Sequence, residues 1–275
     1  MLKRTAQKIL FFLVTLIIVF FSLLPFIWFF ITSLKTEVEV TAIPPTFMPS
    51  GSLDFYRSSI EQYNLLHFVK NSLLVSGTTT IITLLLAIFA GYGLARLKLP
   101  FKGIILESLL AVSMFPQISI AGPVWRILQT LGWLNSYQGL ILPYVTLTLP
   151  LGIWIIASFF KELPEELEDA ARIDGCGHLQ TLFRIMIPLA APGIFTAAIL
   201  IFIYSWNEFF FALLIMTQQD YQTLPVGIAL FQGQYTLPWG EIAAASTIAT
   251  VPLVLLVFIF QKRIMSGLSA GAVKG

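Results

Sequence analysis

The sequence of 275 residues is poor in charge, in cysteine and in histidine. Only 11% of its residues are charged, whereas a soluble domain carries roughly 25%. This deficit excludes a disordered chain and a protein that binds nucleic acid through a basic surface. The single cysteine, Cys176, excludes an intramolecular disulfide and a cysteine-rich metal site.

Long apolar runs take the place of the missing charge, with 57% hydrophobic residues and a mean hydropathy of +0.87. A membrane-spanning helix needs roughly 20 consecutive apolar residues, and its backbone must be helical because lipid offers no hydrogen bonds. Six stretches qualify: 9–31, 72–95, 108–125, 138–160, 185–207 and 242–261. The sequence therefore predicts an all-α membrane protein with six transmembrane helices and a helix hairpin between spans four and five.

Several prolines lie inside these spans, namely Pro116, Pro143, Pro150, Pro188, Pro192 and Pro252. They indicate either kinks, which membrane helices tolerate, or broken helices that line a pathway, as in many transporters. The sequence leaves both interpretations open.

The distribution of lysine and arginine predicts the orientation in the membrane. With the N-terminus in the cytoplasm, twelve of these residues fall on the inner side and four on the outer side. Both termini are therefore predicted to be cytoplasmic. Lys3, Arg4 and Lys8 also suit a cleaved signal peptide, but the apolar run of 23 residues exceeds the usual 7–15 and no A-x-A-like site follows. The first span is predicted to be an uncleaved anchor.

Motifs for catalysis are missing. The chain has no G-x-x-x-x-G-K-[ST] loop for a nucleoside triphosphate and no H-E-x-x-H zinc motif. His67 and His178 lie on opposite sides of the membrane in the predicted topology, so no metal site is expected. Residues 267–271 match a nucleophile-elbow pattern, but only four residues follow and none is histidine. We expect no catalytic residues.

Residues 161–184 form the predicted hairpin. Pro164 suits the first position of a helix, and Gly175 supplies a left-handed stop before a second helix. Six acidic residues against three basic ones give the segment a net charge of −3, which is the wrong sign for binding DNA. Two interpretations remain: an amphipathic hairpin that rests on the membrane, or an apolar-faced helix presented to a groove of a cytoplasmic partner.

The hairpin also carries a recognisable signature. The run Asp169-Ala170-Ala171-x-x-x-Gly175-x9-Ile185-x-Ile187-Pro188 resembles the EAA…G…I-L-P signature of type I ABC importer permeases. Asp169 replaces the usual glutamate and Ile187 the usual leucine, and both keep the chemical character of the position. The runs at 170–175, 205–209 and 267–275 are similar to the carbohydrate subgroup, in particular to the smaller, six-span permease of maltose and trehalose transporters.

This resemblance implies that the hairpin is a coupling helix that sits in a groove of a separate ATPase subunit. The implied coupling residues are Glu168, Asp169, Ala170, Ala171, Asp174 and Gly175. The implied partners are a homologous permease, two ATP-binding subunits, an extracytoplasmic binding protein, a carbohydrate and membrane lipid, with no nucleic acid. The chain would hold no cofactor, because ATP and Mg would bind to the partner subunits, and it would be a multi-pass protein of the bacterial inner membrane.

Polar groups inside a span are costly and commonly functional, and this chain has a few, including Gln117. The run Tyr204, Trp206, Asn207 and Glu208 near the end of span five is predicted to line the substrate path. Its aromatic rings suit the C–H faces of a sugar, and its amide and carboxylate suit the hydroxyl groups. The alternative is an aromatic anchor at the membrane interface with an exposed acid.

The resemblance also implies that one external loop touches the binding protein, through Phe231, Gln232, Gly233, Gln234 and Tyr235. The alternative is a passive connector that dips into the interface. Three segments are expected: an anchor and external segment over 1–66, the importer transmembrane domain over 67–264, and a cytoplasmic tail over 265–275.

The function expected from the sequence is that of the permease subunit of an ATP-driven importer for an oligosaccharide or a glycosylated polyol. The alternative is an ATP-independent multispan carrier or channel for a small polar solute, which needs no dedicated hairpin at one internal loop. An intramembrane enzyme is the weakest candidate, because no catalytic cluster is present.

The single cysteine tests the predicted topology. Cys176 should react with a membrane-impermeant maleimide in inverted vesicles but not in intact cells, because the hairpin is predicted to face the cytoplasm. As a control, Ser50→Cys in a Cys176→Ser background should label in intact cells. Labelling of Cys176 from outside would reverse the orientation and the placement of every loop.

Overall fold

A computed structural model describes the backbone of residues 2–231 and 237–272, and the side chains of residues 7–231 and 237–261. Within these ranges all regular elements are helical, which confirms the predicted fold class. The helices are α1 (Leu2–Ser33), α2 (Glu37–Thr41), α3 (Asp54–Glu61), α4 (Leu65–Arg96), α5 (Lys102–Ser113), α6 (Gln117–Thr130), α7 (Tyr137–Glu162), α8 (Glu166–Ile173), α9 (His178–Thr181), α10 (Ile187–Leu189), α11 (Ala191–Asn207), α12 (Phe210–Ile215), α13 (Leu224–Ala229) and α14 (Trp239–Ala272). A π-helical turn, Leu182–Met186, joins α9 to α10.

Four described helices are long and apolar enough to cross a membrane: α1, α4, α7 and α14. The third and fifth predicted spans are each made of two helical pieces. Helices α5 and α6 are bent by 89° relative to one another. His178–Leu189 and α11 are likewise bent by 78°. The count is six if each bent pair forms one span.

Proline takes part in both outcomes that the sequence left open. Pro143 and Pro150 lie inside α7 and Pro252 lies inside α14, so these helices accommodate proline without a break. By contrast, Pro116 is the residue directly before α6, in the short connection where the chain turns by 89° between α5 and α6. Proline lacks an N–H group and cannot continue the hydrogen-bond ladder of a preceding helix. Only some of the prolines therefore mark broken spans.

The chain divides into two compact units, Met1–Leu66 with Ile228–Pro252, and His67–Gly227 with Leu253–Gly275. In the first unit, Lys35 is buried with its ammonium 4.4 Å from the centre of the Trp28 ring, a cation–π contact. Ser59 donates a hydrogen bond to the carbonyl of Glu241 and so joins α3 to the start of α14.

Helix α7 forms the centre of the second unit. One end packs with α4, α11 and the π-helical turn, through a buried cluster that includes Ile156, Phe160 and Met186. The other end contributes Leu140 and Tyr144 to a second buried cluster with α12. Gly193 permits the close approach of α11, because a Cβ there would lie only 2.2 Å from the ring of Phe159.

The packing between spans also uses polar side chains. The hydroxyl groups of Thr83 and Thr148 are hydrogen-bonded at 3.0 Å between α4 and α7, and both side chains are buried. Small residues and hydroxyl groups are common at contacts between membrane helices, where they allow close packing and interhelical hydrogen bonds. The hydrogen bond between Thr83 and Thr148 thus helps to fix the register of α4 against α7.

Candidate functional site: a helix hairpin and a polar cleft

The hairpin comprises residues 163–186 and begins where α7 ends at Glu162. Pro164 lies before α8 and not at its first position, so its missing N–H group ends α7 instead of starting α8. Three acidic residues occupy the first turn of α8, where the helix dipole favours negative charge. Gly175 follows α8 with φ of +79°, a left-handed conformation that glycine adopts at little cost. The predicted helix and its glycine stop are confirmed.

The implied coupling residues lie on two sides of α8. Asp169, Ala170, Asp174 and Gly175 are exposed. Glu168 and Ala171 are buried against the chain itself, at 6% and 3% exposure. Residues three apart on a helix share a face, so Glu168 and Ala171 form one inner edge. Ala171 therefore lies on the buried side of α8 and is not part of a free surface.

Large apolar side chains extend the exposed side of the hairpin. Ile173, Leu179 and Phe183 are 87%, 63% and 55% exposed. We call these residues, together with the exposed Ala170 and Gly175, the hairpin outer face. Exposed apolar groups in a cluster are typical of a docking surface.

Glu168 makes the buried ion pair of the hairpin. Its Oε1 lies 3.2 Å from Nε of Arg96, the last residue of α4, in a contact whose direction falls short of a hydrogen bond. A second guanidinium, that of Arg172, lies 3.8 Å from Oε2 on the exposed side. Arg96 also donates a hydrogen bond to the carbonyl of Leu163. The inner edge of α8 is therefore fastened to the end of α4.

The second site is a cleft where two helix breaks meet. The first break precedes Gln117, the first residue of α6, and the second follows Asn207, the last residue of α11. The amide of Gln117 donates a hydrogen bond to the hydroxyl of Tyr204 and links the two broken helices. Discontinuous helices commonly form substrate sites in transporters.

The cleft has an open volume of about 450 Å³. Its lining residues are Gln117, Ile203, Tyr204, Asn207, Glu208, Phe209 and Phe210. This lining combines aromatic rings with a few polar groups, which is the usual composition of a small-molecule site. Three of the four residues predicted for the substrate path, Tyr204, Asn207 and Glu208, thus share one cavity.

Glu208 stabilises the break between α11 and α12. It is only 7% exposed. Its carboxylate accepts hydrogen bonds from the backbone N–H groups of Phe211 at 2.9 Å and Ala212 at 3.2 Å, and from the hydroxyl of Tyr144. The first N–H groups of any helix lack partners within the helix, so Glu208 satisfies groups that lipid could not. The exposed acid of the interfacial-anchor interpretation does not match this buried position.

The other two predicted residues differ in exposure. Trp206 is 2% exposed, stacks on Phe202 with ring centres 5.7 Å apart, and does not line the cleft. Asn207 is exposed, and its amide donates to the carbonyl of Ile203 at 2.8 Å. Asn207 also lines the cleft, and an amide carbonyl oxygen can accept a hydrogen bond from a ligand.

Only the first residue of the predicted binding-protein loop lies within the described part of the chain. Phe231 is buried and stacks on Tyr63, with ring centres 4.3 Å apart. Burial and the negative charge of Glu241 raise the pKa of Tyr63 above its ordinary value. Phe231 is the last described residue before the loop. The other predicted residues, Gln232, Gly233, Gln234 and Tyr235, lie outside the described residues.

Two residues of these sites escaped the sequence reasoning. In the sequence, Arg96 is one of several basic residues that indicate the orientation, and Tyr144 lies within a long uncharged stretch without a distinguishing motif. Both matter because a carboxylate distant in sequence reaches them, and no spacing rule relates 96 to 168 or 144 to 208. Among the described residues, no group of three histidine, cysteine or acidic side chains could hold a metal.

Replacing Glu208 tests its role in the helix break. Glu208→Leu should lower the thermal stability of the purified permease, because two N–H groups and the Tyr144 hydroxyl would lose their acceptor. Each unsatisfied buried group costs about 1–3 kcal/mol. The neighbouring Asn207→Leu serves as the control, since its exposed side chain bonds only within its own helix. Equal melting temperatures for both variants in detergent would remove the assigned role of Glu208.

Comparison with known proteins agrees with this architecture. The family described as "Binding-protein-dependent transport system inner membrane component" matches residues 3–269. The chain is 44% identical to the sulfoquinovosyl glycerol transport system permease protein of Agrobacterium fabrum, covering 92% of this chain and 90% of that protein. It is 42% identical to the trehalose/maltose transport system permease protein of Thermococcus litoralis, covering 100% of both.

A solved structure shows the same fold. A chain of a bacterial ABC transporter involved in the import of the polysaccharide alginate matches with a TM-score of 0.80 and 19% identity, covering 94% of this chain and 96% of that chain. The family match spans nearly the whole sequence. The chain therefore belongs to the family of inner membrane components of binding-protein-dependent transport systems.

Proposed function

We propose that this chain is the membrane-spanning permease subunit of an ATP-driven ABC importer for a carbohydrate, an oligosaccharide or a glycosylated polyol. The observation that carries the proposal is the hairpin, whose signature residues lie on a helix fastened to the spans while its outer face stays exposed. The relatives support the substrate class, since their names state transport of sulfoquinovosyl glycerol and of trehalose or maltose.

In this proposal the hairpin outer face docks into a groove of an ATP-binding subunit. Ala170 and Gly175 are small, so a partner can seat closely, and Ile173 offers an exposed apolar anchor. Asp169, at 68% side-chain exposure, presents a carboxylate beside it. ATP and Mg would bind to the partner, and movement of that subunit would pull on the hairpin. A helix laid into an apolar groove is a common mode of recognition.

The assembly would contain a second homologous permease, two ATP-binding subunits and an extracytoplasmic binding protein. A solved relative of the same fold is a bacterial alginate ABC transporter in complex with a periplasmic protein bound to an alginate pentasaccharide. That arrangement supports delivery of the substrate by a soluble protein to the face that carries the loop after Phe231. Both termini and the hairpin would then lie in the cytoplasm, as the excess of lysine and arginine predicts.

Gly175→Arg should uncouple ATP hydrolysis from sugar uptake, because a long cation at the centre of the outer face would hold the ATPase subunit away. The test uses the complete importer in proteoliposomes with trehalose, maltose and sulfoquinovosyl glycerol as substrates. We expect uptake of at least one of these sugars to require ATP and the binding protein, and to be lost in Gly175→Arg.

Two further variants separate the causes. Gly103→Arg places the same side chain on another exposed glycine with no neighbour within 4 Å, outside the hairpin, and should transport normally. Gly175→Ala adds strain at a positive φ but little bulk, so it shows whether backbone strain alone accounts for the effect of Gly175→Arg. Uptake that persists without the ATPase subunits would favour an ATP-independent carrier and contradict the proposal.

We further propose that the cleft contacts the sugar during transport. Tyr204, Phe209 and Phe210 supply flat rings, and Gln117 and Asn207 supply amides that suit hydroxyl groups. Glu208 helps to shape the cleft through the bonds that hold α12 in place. This chain would therefore contribute to the substrate path directly, beside its homologous permease.

Asn207→Leu should weaken transport while leaving assembly intact. Losing one hydrogen bond to a sugar hydroxyl costs about 0.5–1.5 kcal/mol, which corresponds to roughly a 2- to 13-fold loss in apparent affinity. Thr146→Val is the matched control, because Thr146 is also exposed and also bonds to the carbonyl four residues earlier in its own helix, but lies outside the cleft. The apparent KM for uptake measures the effect, and equal values for both variants would remove Asn207 from the path.

A further inference from the structure

Arg96 joins three helices at one point. It is the last residue of α4, it donates a hydrogen bond to the carbonyl of Leu163 at the end of α7, and it faces Glu168 in α8 at 3.2 Å. The side chains of Arg96 and Glu168 are only 5% and 8% exposed. We call this arrangement the α4–hairpin clamp.

The clamp differs from the other charged contacts of the hairpin. Asp169 and Arg172 pair on the surface, with 68% and 56% of their side chains exposed, and both belong to α8. Such a pair contributes little and links nothing beyond its own helix. The clamp lies in the interior and joins separate elements. A buried ion pair is a weak source of stability, and its better attested role is to fix one geometry.

Helix α8 needs such a fastening. It has only eight residues, and a helix of that length is not stable on its own in water. Its inner side offers limited apolar area, because Ala171 is small, Glu168 is charged and Leu167 is only partly buried. The second half of the hairpin is anchored differently, through Leu182 and Met186 in the buried cluster. The ion pair of Glu168 with Arg96 is thus the main polar contact between α8 and the spans.

The opposite end of α4 is fastened as well. The amide of Asn71 donates to the carbonyls of Asp220 and Gln222, both at 2.9 Å, and the hydroxyl of Ser72 accepts from the N–H of Leu224 at 2.7 Å. Asp220 and Gln222 precede α13, and Leu224 is its first residue. At 1.5 Å per residue, α4 separates the two fastenings by about 36 Å. One continuous helix therefore connects the hairpin to the segment 220–224.

We propose that Arg96 and Glu168 are positioning residues for coupling, which make α8 and α4 move as one rigid body. A displacement of the hairpin would then be transmitted along α4 to the segment 220–224 on the other side of the spans. The inference rests on the proposed function, since it needs an ATPase subunit that moves the hairpin. Rigid-body movement of packed elements is a common form of switching.

The first test follows the distance between the hairpin and the far end of α4. Nitroxide labels on Glu165→Cys and Lys70→Cys, in a Cys176→Ser background, report it by pulsed electron paramagnetic resonance in the complete importer, without nucleotide and with ATP and vanadate; Glu165 is exposed, directly precedes α8 and lies outside the hairpin outer face. Both sites lie in the same compact unit, and Lys70 is exposed. A rigid unit should keep the distance constant to within about 3 Å between the two states. A larger change would overturn the inference whatever the variants do.

The second test compares ATP hydrolysed with sugar imported. The double variant Arg96→Met/Glu168→Met removes both buried charges together, so neither is left unpaired. We expect it to assemble, to broaden the distance between the labels, and to raise the ATP consumed per imported sugar by about 3- to 30-fold. A loss of fold alone would lower both activities in proportion and would leave that ratio unchanged.

Two single variants complete the design. Arg172→Gln alters a residue that contacts the same Glu168 from within α8, and should leave the ratio within about twofold of the unaltered protein. Arg96→Lys keeps the charge but not the forked guanidinium, so its ratio should lie between those of the unaltered protein and the double variant. A normal ratio in the double variant would overturn the clamp. If Gly175→Arg still uncouples in that case, the proposed function stands; if the unaltered importer shows no ATP-dependent uptake, the proposed function fails first.

Discussion

The satisfaction of backbone hydrogen bonds where helices end among apolar spans is the constraint on which this structure depends. Lipid cannot replace a missing partner, and water cannot reach groups that are buried where the helices end, so these ends need polar groups from the protein. Glu208 supplies acceptors to the first N–H groups of α12, and Arg96 supplies a donor to the last carbonyl after α7. Asn71 does the same for the carbonyls of Asp220 and Gln222.

These polar fastenings explain why the two candidate sites lie where they do. A break creates a change of direction, and the change of direction creates either a cavity or a projecting element. The breaks beside Gln117 and Asn207 open the cleft, whereas the end of α7 at Glu162 releases the hairpin. A transporter driven by a separate subunit needs a cavity and a projecting element. The substrate requires a polar path through the membrane, and the driving subunit requires an element of the permease to which it can bind.

Glu208 shows how a single residue can be assigned correctly to a region and still have a different local role. The sequence placed it with Tyr204 and Asn207, and the cavity contains all three. Its hydrogen bonds, however, go to the backbone of α12 and to Tyr144 rather than to open space. Trp206, whose large ring would suit stacking on a sugar, does not line the cleft and stacks on Phe202.

The sequence by itself determined the membrane-spanning helical class, the hairpin between the fourth and fifth predicted spans, and the glycine stop at Gly175. Those features depend on local properties: the length of an apolar run, an acidic first turn, and a residue without Cβ at a positive φ. Tertiary structure decided which side of α8 is free, which spans are broken, and which residues meet. The pairs Arg96–Glu168 and Tyr144–Glu208 are separated by 72 and 64 residues in the sequence. Their proximity follows from the packing of α4, α7 and α11, which no local pattern encodes.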